Sequence, residues 1–346
     1  MPTPTYPSRR FFAAGAAIGA NWGTANATGA NKGLFITKDG GLSLKQKYLP
    51  NEEIDQIMPK NGTPGPVDAI DFAPEFVMRY NPGLLGSMIA SLYGTAGNAT
   101  GNNTFTHTFQ TADYYSKFFT VAVERPGKIW EVPSAVPYKL SLKVGGGFMQ
   151  GVISLRGASM TDNSTVNTDT QMANISYVDT GNPVRFSEGV VWMNPQAGNA
   201  LDANNAISVS DIEIEYERQI DAIPVAGANG ISLPKEPGYP KITVKLKEPR
   251  ASATSLGYLA TFQAGTPQKL LITFTGGVTE GNNHYSLALG FPRLVLMEPP
   301  VAPLEDMIST AYVFEAQEGA ANGSPGMNYT RPYMVLVNTA ANDYLA

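Results

Sequence analysis

The 346-residue chain contains no cysteine and only two histidines. Without thiols there is no disulfide, no thiolate metal site and no cysteine nucleophile, and the absence fits a reducing compartment. Charge is scarce, with 15% of residues charged against about 25% in an average soluble domain. The net charge of −5 supplies no basic excess of the kind a duplex-DNA reader uses to displace counterions. Apolar runs fall short of the ~20 residues that span a bilayer, so no membrane partner is expected. Phosphate-binding loops, dinucleotide fingerprints, Gly-x-Ser-x-Gly elbows and His-Glu-x-x-His helices are all missing. His107 and His284 have no carboxylate or second imidazole at ligand spacing, and each reads as a surface or barrel-edge histidine. No catalytic residue, metal or cofactor is expected.

What is present points to β-structure. The chain is 43% hydrophobic, with 35 glycines and 26 prolines, about 18% turn formers against roughly 12% on average. Few charges, many turn formers and abundant Thr, Val, Tyr and Phe predict an all-β protein with short helices. A neutral polar surface of that kind suits packing against copies of itself. The length accommodates two domains of ordinary size.

Strand signals are cleanest in the second half. Ser210–Arg218 alternates, with Ile212, Ile214 and Tyr216 on one side and Asp211, Glu213, Glu215 and Glu217 on the other, the pattern of a half-buried strand. After a Gly/Pro-rich loop, Gln219–Pro240, the stretch Lys241–Lys247 alternates again, with Lys241, Lys245 and Lys247 outward. A short helix is predicted over Thr254–Gln263. Strands follow at Lys269–Thr275 and Tyr285–Met297, the latter broken by Pro292, and a last pair at Ala311–Ala316 and Tyr333–Val337.

The first half repeats this order. Leu42–Tyr48 alternates with Lys45 and Lys47 outward; a loop runs from Pro50 to Pro66; Ala69–Phe76 sets Ile70, Phe72 and Phe76 against Asp71 and Glu75. Asn81 as N-cap and Pro82 at the first helical position open a helix that stops at Gly94. Strands at Thr104–Phe109 and Phe118–Glu124 precede a hairpin, Tyr138–Val144 with Phe148–Leu155, across Gly145–Gly147. The predicted organisation is an N-terminal arm at 1–19, one copy of the pattern at 20–165, a linker at 166–182 within an Asn/Thr/Asp-rich stretch, and a second copy at 183–346.

The alternating charges are the informative constellation. Four carboxylates stand on one strand and three lysines on its expected antiparallel partner, and in the first half the signs swap. Opposite charges across an antiparallel pair favour register by ~0.2–1 kcal/mol each. One reading is a solvated sheet face laced with ion pairs. The other is the wall of a water-filled channel passing a polyanion, where unpaired lysines would bind phosphate and stall passage. At the N-terminus, Ser8-Arg9-Arg10-Phe11-Phe12 and the Ala/Gly stretch after it resemble the start of a twin-Arg export signal. The lack of a clear cleavage site favours a docking arm carrying Arg9 and Arg10.

Several stretches resemble the major tail tube proteins of long-tailed bacteriophages. They are Trp22-Gly23-Thr24-Ala25, the Gly65–Phe72 strand, the Leu84–Gly94 helix, Phe105–Phe109, Phe119–Arg125, the Leu140–Leu155 hairpin, Ser210–Glu217, Lys241–Lys247 and Tyr285–Met297. The likeness runs from about residue 18 to 338 and rests on the order of elements. It implies a structural virion protein of β-sandwich fold whose inner sheets close into a β-barrel in six-fold or pseudo-six-fold rings. Such rings stack around the tape measure protein as the conduit for double-stranded DNA. Tail terminator and tail tip proteins would be further partners, with assembly in the bacterial cytoplasm and residence in the virion tail. Two copies per chain would make a trimeric, pseudo-hexameric ring; a true hexamer is the alternative. An inner tube of a contractile tail or injection machine, or a capsid decoration or adhesin protein, remains open. The charged residues of both halves then become candidate lumen lining. The long loops, with Asn61, Pro66, Ala222, Asn229 and Gly238, become candidate ring-stacking elements, because a hairpin needs only two to five residues there.

Overall fold

The computed structural model describes residues 14–345 apart from 30–32, 39–45, 51–61, 68–69, 96–99, 102, 113–116, 126, 177–181, 222, 224–230, 250–260, 281–282, 299–309 and 320–323; for 14–17, 46–50, 62–67, 280 and 310 it describes the backbone alone. The first half contributes β1 (Ala14–Gly19), β2 (Gln46–Pro50), β3 (Gly62–Val67), β4 (Ile70–Phe72), β5 (Glu75–Val77), helix α1 (Leu84–Tyr93), β6 (Phe105–Gln110), β7 (Phe118–Arg125), β8 (Lys128–Val144) and β9 (Gln150–Gly157). After α2 (Asp169–Ala173) come β10 (Gly189–Pro195), β11 (Asp211–Glu217), β12 (Lys241–Glu248), β13 (Gln268–Glu280), β14 (Asn283–Leu296), β15 (Thr310–Gln317) and β16 (Tyr333–Asn338).

Fourteen of these strands share one antiparallel sheet, with the path β1-β7-β8-β11-β12-β15-β14-β13-β10. Beside that path β9 pairs with β8 and carries β4 and β5 on its far edge, while β16 pairs with both β14 and β6. The long strands serve several neighbours in turn. Residues 128–135 of β8 lie against β7, and 139–144 lie between β9 and β11. Strand β14 gives Ser286–Gly290 to β16 and Arg293–Leu296 to β15. Pro292 stands at the handover, where its missing N–H leaves no ladder bond to lose. The break expected at Pro292 is therefore a change of partner within a continuous strand. Strands β15 and β16, expected as a pair, both join β14 and not each other.

Alternation puts the apolar side chains of β11, β12, β8 and β9 on one face. There Ile214, Tyr216, Val244, Leu246, Leu140 and Ile153 are buried in one cluster with Met88, Ile89 and Leu92 of α1. Each side chain fully removed from water contributes about 1.5–3 kcal/mol. Helix α1 starts at Leu84 behind Gly83, whose φ is +58°, and Asn81 makes no cap. Pro82 stays outside because the chain needs the glycine's positive φ to turn into the helix. The helix stops as expected at Gly94, in the left-handed region, whose N–H reaches the carbonyls of Ala90 and Ser91, a common helix stop.

Three other expectations change. The end of the loop expected at Pro50–Pro66 is instead part of β3 (Gly62–Val67), which pairs with β2 in a separate two-stranded hairpin. His107 is buried; its Nε2 lies 2.9 Å from the Ala340 carbonyl and 3.1 Å from Asn338 Oδ1, with the ring beside Tyr344. His284 is exposed. The polar stretch after residue 160 is held on β8, because the buried Glu131 carboxylate accepts from Ser164 Oγ and Asn167 Nδ2, and Asn167 Oδ1 accepts from the Thr28 N–H. Its Asn and Ser residues satisfy a buried carboxyl group as well as making turns. Of the predicted helix 254–263, residues 261–263 are helical and the rest lies outside the described residues.

Candidate functional site

The sheet's other face, on β4, β5, β9, β8, β11, β12 and β15, is polar. Registry builds it in rows. Lys38, Glu75, Val152, Ser141, Glu215, Thr243 and Glu315 form one row across neighbouring strands. Val77, Gln150, Lys143, Glu213, Lys245 and Val313 form the next. Asp211 stands opposite Lys247, and Glu217 stands between Lys139 and Lys241. Opposite charges therefore face one another directly at most charged positions, the arrangement that favours register.

The ion pairs lean toward β8 as well as β12. Lys245 Nζ reaches Glu213 at 3.0 Å, Lys139 Nζ reaches Glu215 at 2.7 Å and Glu217 at 3.3 Å, and Lys143 Nζ lies 3.7 Å from Asp211. The hydrogen bond to Glu215 holds the Lys139 ammonium above the ordinary lysine range. In the first half Arg156 Nε donates to Asp71 at 2.8 Å, and Lys38 Nζ lies 2.9 Å from Glu75. Lys45 lies outside the described residues. Lys47 lies in β2, where only the backbone is described.

Sequence reasoning missed Lys38, Lys139, Lys143, Arg156 and Glu315. The alternation of Lys139, Ser141 and Lys143 was available as a signal. What was not visible is that β8 lies directly beside β11, a contact between residues about 70 apart in the chain. Among the described residues the face carries seven cations (Lys38, Lys139, Lys143, Arg156, Lys241, Lys245 and Lys247) and seven anions (Asp71, Glu75, Asp211, Glu213, Glu215, Glu217 and Glu315).

Past the end of β11, Arg218 is 1% exposed and spends its guanidinium on four acceptors. It donates to the Leu92 and Tyr93 carbonyls at the end of α1, to the Ala112 carbonyl, and to Glu236 at 2.7 Å. The helix has no basic residue in its last turn, so Arg218 supplies the cation that favours its carbonyl end. Glu236 roots the turn Pro237–Pro240 beside a groove of about 670 Å³. Gly238 lines that groove. Ala222, Asn229 and Asn61 lie outside the described residues, and Pro66 is described as backbone in β3. Arg9 and Arg10 also lie outside them, whereas Ala14–Gly19 of the expected arm pairs with β7 of the same chain.

The family model for phage tail tube proteins matches residues 12–327, nearly the whole chain. The chain belongs to the phage tail tube protein family. No curated protein matches it. The polar face, the groove and the hairpin tips are thus features of a structural tail protein from a bacteriophage virion, one that assembles with itself into a tube. Among the described residues no group of His, Asp and Glu could hold a metal ion, and no helix is long and apolar enough to cross a membrane.

Proposed function

We propose that this tail tube subunit forms stacked rings around the tape measure protein in a long, non-contractile tail, and that its polar sheet face lines the conduit for double-stranded DNA. The observation carrying this reading is the equal number of cations and anions on that face. A wall that passes a polyanion must be hydrated and offer no net attraction, and salt screens what remains of paired charges beyond ~8–10 Å. On this reading Lys45 and Lys47 extend the lining, and Asn61, Pro66, Ala222, Asn229 and Gly238 belong to stacking loops. Arg9 and Arg10 contact a neighbour, and tail terminator and tip proteins cap the tube after assembly in the host cytoplasm.

The reading includes a duplicated unit at 20–165 and 183–346, joined by 166–182. Pairing order supports it: β1-β7-β8-β9 with β4 and β5 in the first half parallels β10-β13-β14-β15-β12 in the second. Three chains then supply six units. Cryo-EM of assembled tubes is expected to show three chains per ring with Glu213 and Glu215 facing the lumen. Six chains per ring would overturn the duplication, and these residues on the outer surface would overturn the lining. Replacing Glu213 and Glu215 by Gln is expected to leave tubes intact, exposed pairs being worth about 0–1 kcal/mol, while slowing DNA ejection.

A further inference from the structure

The two ends of the polar face carry exposed aromatic side chains, Tyr239 and Phe148, that the core does not cover. At the Arg218 end, Tyr239 projects from Pro237-Gly238-Tyr239-Pro240 with 94% of its surface exposed. The turn is rooted by the Arg218–Glu236 pair and by the Asp221 N–H bonded to the Lys235 carbonyl. The groove beside it runs along Glu315–Glu318 to Arg331 and Pro332. Glu236 Oε1 is buried there without a donor. A large aromatic side chain standing in water on a proline-flanked turn is unusual on a finished surface, and it loses little freedom when a partner covers it.

At the opposite end of the same strands lies the β8–β9 tip. Phe148 is 50% exposed with the Arg185 guanidinium 5.9 Å from its ring centroid, and Arg79 lies 5.1 Å from the centroid of the part-exposed Phe35. Open space surrounds Gly146 and Gly147, so another chain can approach the tip closely. The tip carries Arg79, Arg185 and Lys143 against Asp211 and Glu188, an excess of one positive charge; the groove carries Glu236, Glu315 and Glu318 against Arg218 and Arg331, an excess of one negative charge. The excess charges are opposite in sign. Strand β11 spans from one end to the other, about 24 Å at ~3.4 Å per residue.

We propose that Tyr239 and its turn seat on the Phe148–Arg185 tip of the next copy of this chain along the tube, with the groove carboxylates of Glu315 and Glu318 facing Arg185 of that copy. This rests on the stacked-ring reading. Two unlike, complementary patches at opposite ends of one rigid sheet make a head-to-tail contact that does not close on itself, and its repetition builds a filament. Aromatic and arginine side chains are also those most often found as interface anchors.

The absence of cysteine makes the contact directly testable. A Tyr239→Cys, Phe148→Cys double variant, assembled and mildly oxidised, is expected to give a ladder of crosslinked chains on a non-reducing gel. Each single variant stops at dimer, and a Tyr239→Cys, Val190→Cys control gives no ladder. Tyr239→Ala is expected to raise the critical concentration for tube formation at least tenfold at unchanged melting temperature, with Tyr239→Phe restoring it. Tubes that form without the ladder, or an unchanged critical concentration in Tyr239→Ala, would overturn the contact while the tube reading stands. Wild-type protein that forms no tubes would remove both.

Discussion

Strand β12 runs antiparallel to β15, the strand after the β13–β14 hairpin, and the β4–β5 pair runs antiparallel to β9, the strand after the β7–β8 hairpin, yet one is continuous and the other broken. β12 runs unbroken from Lys241 to Glu248 between β11 and β15. β4 and β5 are three residues each, interrupted at Ala73-Pro74, and pair with β9 on one side, while on the other Glu75 exchanges backbone bonds with Thr37 and Lys38. An edge strand tolerates proline because the missing N–H has no partner to lose, whereas an internal strand needs both sides of its ladder. The polar face nevertheless continues across both, because Asp71 and Glu75 keep the parity that Arg156 and Lys38 need. Backbone continuity and side-chain alternation are thus separable.

That contrast is broken most sharply by proline. Val244→Pro, in β12, removes an internal ladder bond and a fully buried side chain, and a loss of more than about 3 kcal/mol is expected to leave no cooperative thermal transition. Pro74→Ala at the edge is expected to shift stability by less than about 1 kcal/mol, read by urea unfolding. Equal effects at the two sites would show that β4–β5 is not an edge in the isolated subunit.

Next in size is Arg218→Met, which joins the halves: it leaves Glu236 and the carbonyls of Leu92, Tyr93 and Ala112 without their donor. Removing one partner of a buried pair costs about 3–5 kcal/mol. Amide exchange is expected to accelerate in α1 of the first half although the substitution lies in the second.

A smaller effect is expected for Gly151→Ala in β9. A methyl there would sit 2.3 Å from the Phe76 ring, so overpacking of about 1–3 kcal/mol should loosen β5 specifically, seen as faster exchange at Phe76 and Val77. The smallest effect is Lys139→Met, within about 1 kcal/mol for a part-exposed pair. Because Glu215 raises the Lys139 pKa above its ordinary 10.5, the wild-type advantage should be fully present below that value and fade as pH rises through the folded one. A difference in melting temperature that grew above pH 10.5 would contradict the assignment.

Period-two alternation read from residues alone located β11 and β12, because one wet and one dry face demand it within a single strand. Gly94 ended α1 for an equally local reason, its left-handed φ. The strand at 311–316, the β8–β9 hairpin and the charge-bearing face of each were visible for the same cause. Only tertiary structure decided that β8 lies beside β11, that β16 bridges β14 to β6, and that Lys139 and Lys143 share the work of Lys245. Such pairings join residues tens to hundreds of positions apart, and no local pattern encodes which of several compatible edges will meet. The burial of His107 and Arg218 belongs to the same class. A polar side chain enters a core only where distant carbonyls, carboxylates and amides converge to meet its donors, and that convergence exists only in the folded chain.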